Sequence, residues 1–112
     1  MKIKTEDLTG AALDWAVAKC SFIEGTARSL IAADVKPYST SWQEGGPIIE
    51  REIHSITDTT MRSDMSFAWE AKIHVGAGLC VRMHGPTPLI AAMRCFVASK
   101  MGDTIDIPEE LV

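Results

Sequence analysis

Residues 84–102 read HGPTPLIAAMRCFVASKMG, and this stretch contains the start, the body and the end of one helix. Thr87 is a hydroxyl residue of the kind that caps helix N-termini, and Pro88 fits the first helical position, where its missing N–H group costs nothing. Lys100 and Gly102 supply the cation and the flexible residue that are typical of a helix end. The stretch therefore predicts a helix that begins after Thr87 and ends before Gly102.

The segment that precedes this helix is a candidate anion-binding loop. A helix N-terminus leaves backbone N–H groups unpaired and carries a partial positive charge. His84, Gly85 and Thr87 could therefore cradle a phosphate or a carboxylate. Because most helix caps bind nothing, the alternative is that these residues only start the helix, and the sequence leaves both interpretations open.

A hairpin is predicted directly before this loop. From residue 67 onward the chain alternates, with Phe67, Trp69, Ala71, Ile73 and Val75 on one side and Ala68, Glu70, Lys72 and His74 on the other. Residues 76–78 predict a turn, and residues 79–83 return as the second, antiparallel strand. Residues 103–107 predict an edge strand that Pro108 ends, followed by a fraying tail over 109–112.

Two more helices complete the predicted fold. The first runs from Thr5 to Cys20, with Thr5 or Thr9 as its cap, and a short one runs from Pro47 to Ile53, with Pro47 in its first turn. Residues 29–35 fit a short strand or a short helix. We therefore predict a single α+β domain over residues 1–112, in which a small antiparallel sheet packs against two longer helices and a short helix.

A second candidate recognition element is the predicted loop over residues 36–47. It combines aromatic rings, hydroxyl groups and two adjacent glycines, a mixture that suits a nucleotide, a nucleobase or a peptide surface. Its candidate ligand-binding residues are Tyr38, Ser39, Thr40, Trp42, Gly45 and Gly46. The alternative is a folded loop whose rings hold it against the core. The sequence does not show whether this loop meets the loop before the 88–101 helix.

Composition and charge exclude several classes of protein. The chain has 112 residues, 46% of them hydrophobic, with a formal net charge of −4, which argues against a protein that binds duplex DNA by neutralising its phosphates. No apolar run approaches the roughly 20 residues of a membrane span, and no signal peptide core follows the first lysines. We therefore expect a cytoplasmic protein.

Cofactor and catalytic motifs are equally sparse. The three cysteines, Cys20, Cys80 and Cys95, form no CxxC pair, and the three histidines lack metal-ligand spacing. We expect no metal and no cofactor. A Cys80–His84 nucleophile pair is conceivable, but no orienting third group can be named, and neither a P-loop nor a dinucleotide fingerprint is present. A binding protein is therefore favoured over an enzyme, and no catalytic residue is assigned.

Several segments resemble one known family. They are LTGAALDWAVAKC over 8–20, Tyr38-Ser39-Thr40 with Trp42, GGPIIERE over 45–52 and HGPTPLIAAMRC over 84–95. Together they are similar to the NinX family of lambdoid phage and prophage proteins, over nearly the whole chain. The resemblance implies a phage accessory protein rather than a particular reaction.

Two hypotheses of function follow from these patterns. The first is a non-catalytic binder of a small anionic ligand such as a nucleotide, which in a phage could sequester a host immune signal. The residues that would hold this ligand are the Thr87 helix start, Arg82, His84 and Arg94 for its charge, and Tyr38 or Trp42 for its base. A homo-oligomer would enclose such a ligand better than one chain. The second hypothesis is a protein interaction module that inhibits or adapts a host or phage factor, with Trp42 as its hot spot.

Overall fold

The computed structural model describes residues 1–22, 35–59 and 68–111. In chain order its elements are β1 (Lys2–Lys4), a 3-10 turn (Thr5–Asp7), α1 (Gly10–Phe22), α2 (Trp42–Glu52), β2 (Ser55–Asp58), β3 (Trp69–Gly76), β4 (Leu79–Gly85), α3 (Pro88–Met101), β5 (Thr104–Asp106) and a second 3-10 turn (Glu109–Leu111). The strands pair in two antiparallel sheets, one ordered β2-β3-β4 and one made of β1 and β5. The predicted α+β class is confirmed.

Helix α3 is the centre of the fold, and its ends are those that the sequence predicts. The Thr87 Oγ1 accepts a hydrogen bond from the Ile90 N–H at 3.1 Å, and Pro88 is the first helical residue. Gly102 follows the helix with a φ of 84°, and its N–H donates to the Ala98 carbonyl. All residues over 91–98 are buried, because α3 packs against the three-stranded sheet and against α1 and α2. Because the middle of α3 is covered on several sides, it is apolar apart from Arg94 and shows no single apolar stripe.

The three-stranded sheet contains the predicted hairpin. Its turn residues Ala77 and Gly78 have φ values of 53° and 77°, as the tightest two-residue hairpin turn requires. Ile56, Ala71 and Met83 form one row across the three strands on the side that packs against α3. We call this side of the sheet its inner face, and the opposite side its outer face.

The strand predicted near the C-terminus is confirmed as β5, and it pairs with β1 rather than with the larger sheet. Ile3 lies opposite Ile105, and Ile105 is buried in the core. The end of the chain forms the 3-10 turn over 109–111 where we predicted a fraying tail. Pro108 follows the strand, as expected.

The first helix runs from Gly10 to Phe22, so it begins directly after Thr9, the second of the two predicted caps, and not at Thr5. The Thr5 hydroxyl donates to the Gly102 and Asp103 carbonyls instead of capping a helix, and the Thr5 N–H donates to the Asp103 carbonyl at 2.8 Å. Leu8 has extended backbone angles. The tertiary contact with the end of α3 thus holds residues 5–8 outside the helix.

The boundary between loop and helix over residues 36–52 was also predicted wrongly. Helix α2 begins at Trp42, so Gly45, Gly46 and Pro47 lie inside it, whereas we predicted a loop up to Pro47. The Gly45 N–H donates to the Ser41 carbonyl at 2.9 Å, which closes the first turn of the helix. Glycines lower helix propensity, but close packing of Gly45 against its neighbours outweighs that preference.

Two further predictions need comment. The alternative of a strand or a helix over 29–35 falls mostly on residues outside the described ranges, as does Phe67. Val75 was predicted to face the core, but it is 52% exposed, since the register of β3 and β4 shifts between His74 and Gly76. A β-bulge of this kind turns a side chain away from its alternating position.

None of the helices in the described ranges is both long enough and apolar enough to cross a membrane.

Candidate functional site

The outer face of the three-stranded sheet is lined by polar side chains. Strand pairing places Glu70 opposite His84, Lys72 opposite Arg82, His74 opposite Cys80, Ser55 opposite Lys72 and Thr57 opposite Glu70. Ser55, Thr57, His74, Cys80 and Arg82 are exposed, and the remaining three residues are half-buried. A sheet face without large apolar side chains faces solvent. On this face the two cations lie in one row and the carboxylate lies in the next.

The central row of the outer face consists of Ser55, Lys72 and Arg82, one residue from each strand. Directly opposite residues in an antiparallel pair have Cβ atoms about 5 Å apart, and like charges at that spacing destabilise the sheet. The Lys72 and Arg82 pair is therefore unfavourable in the protein alone. An ammonium group, a guanidinium group and a hydroxyl side by side are the groups that bind a phosphate.

The next row contains the carboxylate of the outer face. His84 Nε2 lies 2.9 Å from Glu70 Oε2, and both side chains are 28% exposed. This contact holds the Glu70 carboxylate against the His84 ring, beside the cationic row. Among the described residues of the outer face, two cations stand against one carboxylate. His84 is two residues from Arg82 on the same strand and points to the same side.

A pair of histidine rings lies near the turn end of the outer face, where His74 of β3 meets His54, the residue before β2. The rings of His54 and His74 are stacked, with centroids 4.2 Å apart and an angle of 7° between their planes. Both residues are exposed. Neither histidine was predicted to contact a ligand. His54 lies before β2, and its contact with His74 depends on how β2 pairs with β3.

Arg94 was predicted to bind the ligand, but its guanidinium is turned into the protein. It is only 7% exposed, its Nε donates to the Leu8 carbonyl and its Nη1 to the His84 carbonyl, each at 2.8 Å. Burial lowers the pKa of Arg94 below its ordinary value, while Asp7 and Glu6 act in the opposite direction. These contacts tie the segment before α1 to the end of β4.

The predicted glycines Gly45 and Gly85 are sites of close packing. A Cβ on Gly45 would meet the Tyr38 carbonyl oxygen and, at 2.7 Å, the Leu89 Cδ1. A Cβ on Gly85 would lie 2.7 Å from the Ala91 nitrogen. Leu89 and Ala91 are two residues apart on α3, so they project to opposite sides of the helix. The two predicted loops therefore flank the start of α3 rather than facing each other.

The other residues predicted over 38–46 differ in exposure. Tyr38 and Ser39 are buried, at 8% and 3% exposed, and the Ser39 N–H donates to Asp14 Oδ1 at 2.8 Å. The Ser39 Oγ is a buried atom, and it has no hydrogen-bond partner among the residues that the structure describes. Thr40 is exposed, Gly46 is half-buried, and Trp42 is 57% exposed in the first turn of α2.

A groove of about 780 Å³ lies between α1, α2 and α3. Buried Cys20, Tyr38, Ile48 and Phe96 line it together with Ser21, Gln43, Glu44, Pro47, Arg51, Glu52 and Lys100. Its two carboxylates and two cations balance in charge, so it offers no preference for an anion. It includes Tyr38 but none of Arg82, His84 and Thr87, so the predicted aromatic and cationic residues do not share this groove.

In the described parts of the chain, no group of three or more histidine, cysteine or acidic side chains could hold a metal ion. Burial raises the pKa of Cys20 and of Cys95 to about 12, so both thiols stay protonated near neutral pH. Cys80 is exposed, and its cross-strand partner is His74, whereas His84 contacts Glu70.

Lys72 and Ser55 belong to the site but were not among its predicted residues. Lys72 was placed on the polar side of its strand, and a three-residue turn over 76–78 would have set it opposite Arg82. The observed two-residue turn with its bulge gives that same pairing. Ser55 offered no such signal, since β2 was not predicted.

Comparison with known proteins gives one family. The family model described as "Bacteriophage P22, NinX" matches residues 4–100. That range covers most of the chain, including α1, α2, the hairpin and nearly all of α3. The search of curated proteins found no match.

Proposed function

The chain belongs to the NinX family of bacteriophage P22, and from that premise we propose that it is a non-catalytic phage accessory protein that binds a small anionic ligand of the nucleotide type. The single observation that carries the proposal is the position of Lys72 directly opposite Arg82 on the outer face. A ligand phosphate between the two side chains would turn a repulsive pair into two attractive contacts.

The chemistry of the row suits a phosphate group. The Arg82 guanidinium can donate two parallel hydrogen bonds to phosphate oxygens, and the Lys72 ammonium adds a point charge. Ser55 is exposed beside Lys72 and supplies a hydroxyl donor. Glu70 would oppose an anion, but His84 lies against its carboxylate at 2.9 Å.

The start of α3 would support the same ligand only at longer range, because it follows the end of β4 and α3 packs against the inner face. Thr87 is exposed and lies three positions after His84 in the sequence. Its Oγ1 accepts the Ile90 N–H, so the helix start is ordered before any ligand binds. The partial positive charge of a helix N-terminus adds to the attraction for an anion.

The setting suggests what such binding would achieve. A phage accessory protein in the host cytoplasm that binds a nucleotide can lower the free concentration of that nucleotide. If the nucleotide is a signal of host defence, the protein would act against that defence. Sequestration needs affinity and copy number but no catalytic group.

Thermal shift with a panel of linear and cyclic nucleotides tests the proposal. A ligand at a hundredfold excess over its dissociation constant stabilises the protein by about 2.7 kcal/mol. We expect Arg82→Ala to abolish that shift. The matched control is Arg51→Ala, since Arg51 is also an exposed arginine, with a side chain 58% exposed, but lies on α2. Retention of the shift in Arg82→Ala would refute the outer face as the site.

A second candidate function rests on Trp42, whose ring is 57% exposed. Exposed tryptophans are enriched among the residues that dominate protein interfaces. Because α2 packs against α3 on the inner side of the sheet, Trp42 and the outer face lie on different sides of the molecule. The alternative proposal is therefore an interaction module that uses the start of α2 to inhibit or adapt a host or phage factor.

Pull-down from phage-infected cells separates this candidate from the first. We expect Trp42→Ala to lose a specific partner while the melting temperature is kept. Leu79→Ala is the matched control, because Leu79 is an exposed apolar residue, at 66%, on the hairpin. A partner that Trp42→Ala and the parent protein capture equally would exclude Trp42 as the hot spot.

A further inference from the structure

We propose that the stacked His54 and His74 rings form a nucleobase platform, so that the ligand of the outer face is recognised through an aromatic base as well as through its phosphate. This inference rests on the proposed function, because it assigns the second half of the same site. It commits the ligand to the class of nucleotides and excludes simple phosphate esters as the preferred ligands.

The first step of the argument is the geometry of the two rings. Their centroids are 4.2 Å apart and their planes differ by 7°, so the rings form a flat two-layer stack. Both residues are exposed, although apolar ring surface in contact with water is unfavourable. A planar base placed on the stack would cover that surface, and histidine is one of the side chains on which bases stack.

The second step is that the stack is held in place before a ligand arrives. The His54 N–H donates to the Lys72 carbonyl at 2.8 Å, and the His74 N–H donates to His54 Nδ1 at 3.4 Å. A neutral His54 that accepts at Nδ1 carries its proton on Nε2, which gives the platform a defined donor. A ring fixed at its backbone and at one nitrogen loses little conformational entropy when a base binds.

The third step is the position of the stack relative to the cationic row. His74 is two residues from Lys72 on β3 and lies on the same face, which is about 7 Å along a strand. That distance is comparable to the separation between the base and the 5′-phosphate of one nucleotide. Strand pairing places His74 opposite Cys80, a small side chain. One nucleotide could therefore reach the row and the stack together.

Charge complementarity identifies which end of the ligand goes where. The row of Ser55, Lys72 and Arg82 offers cations and a hydroxyl, and so it takes the phosphate. The histidine stack offers π faces, which every base can contact irrespective of its hydrogen-bonding edge. The site would therefore discriminate nucleotides from other phosphate esters more strongly than it discriminates one base from another.

Isothermal titration with four nucleoside 5′-monophosphates and with ribose 5-phosphate tests the inference. Stacking of a base on an aromatic ring adds to the binding free energy. We therefore expect the nucleotides to bind at least about fivefold more tightly than ribose 5-phosphate. His54→Ala should remove that advantage and leave the affinity for ribose 5-phosphate unchanged. His54→Phe should keep it, because phenylalanine preserves a stacking ring. Melting temperatures of both variants show whether the fold is intact.

A second readout does not depend on substitution. The ring protons of His54 should shift upfield in proton NMR spectra when adenosine monophosphate is added, and should not do so with ribose 5-phosphate. Equal affinities for the two ligands, with no ring-proton shift, would overturn the base platform but leave the phosphate site standing. If neither ligand binds, or if Arg82→Ala binds both as the parent protein does, the proposed function fails as well.

Discussion

Lys72 and Arg82 are a local exception to the rules that stabilise an antiparallel sheet. Opposite charges or apolar side chains face each other across most stable pairs, whereas here two cations do. A pair that opposes folding is expected where function requires it, because functional sites are where local rules are broken. The cost lies in the unliganded protein, and the proposed anionic ligand would remove it.

Replacing Lys72 by glutamate should therefore stabilise the unliganded protein and destroy nucleotide binding. An ion pair with Arg82 in place of repulsion is worth about 0.2–1 kcal/mol across a strand pair. Urea denaturation measures the free energy of unfolding, and titration with nucleotides measures the affinity. Lys72→Gln removes the charge without reversing it, so its free energy of unfolding should lie between those of the parent protein and Lys72→Glu. Loss of stability in Lys72→Glu would show that Lys72 has a structural role that the strand register does not reveal.

At Thr87 we expect a change in stability from loss of the helix cap. Thr87→Ala leaves the Ile90 N–H without its side-chain acceptor, and such a loss costs about 1 kcal/mol. Thermal unfolding followed by circular dichroism is the measurement. Thr40→Ala is the control, because Thr40 is an exposed threonine outside any helix. If the two variants unfold alike, the cap contributes nothing to the stability of α3.

At the scale of elements, we expect alanine substitutions at the two adjacent glycines of α2 to have opposite effects on stability. Gly45→Ala should destabilise the protein by about 1–3 kcal/mol, since its Cβ would collide with the Tyr38 backbone and with Leu89 Cδ1 at 2.7 Å. Gly46→Ala should stabilise it by about 0.5–1 kcal/mol, because a Cβ there meets nothing within 4 Å and alanine favours the helix. Parallel urea titrations compare the pair. A similar effect of the two substitutions would mean that α2 does not pack against Leu89 as described.

The elements differ in how far the sequence could predict them. Helix α3 and the hairpin depend on signals a few residues apart, namely Thr87, Pro88 and Gly102 for the helix and the turn over 76–78 for the strands. Helix α2 could not be predicted to its true start, because two adjacent glycines disfavour a helix and the close packing of Gly45 against Leu89 joins positions far apart in the sequence. Local patterns specify elements whose stability is local, and tertiary packing overrides them elsewhere.

At the scale of the whole molecule, long-range contacts decide which predicted residues reach the site. Arg82 and His84 could be predicted on the polar side of β4 because strand alternation is a local property. Arg94 looked like a ligand contact, but it bonds to the Leu8 and His84 carbonyls, and no pattern in the sequence connects those two positions. The stack of His54 on His74 depends on the pairing of β2 with β3, which the sequence did not predict. The sequence therefore indicated which side chains could bind a ligand, but not which of them lie together in the folded protein.

The buried thiols predict how the stability of the whole molecule depends on alkaline pH. Burial raises the pKa of Cys20 to about 12, from an ordinary value near 9, so the folded protein keeps this thiol protonated where the unfolded chain has lost the proton. Unfolding then releases a proton, and the free energy of unfolding falls as the pH rises between about 9 and 12. Urea denaturation at a series of pH values measures that slope. In Cys20→Ala the slope should be shallower, whereas Cys80→Ala should leave it unchanged because Cys80 is exposed. If the slope is the same in the parent protein and in Cys20→Ala, Cys20 ionises alike in the folded and unfolded chains. That result would contradict the burial of its thiol in the folded protein.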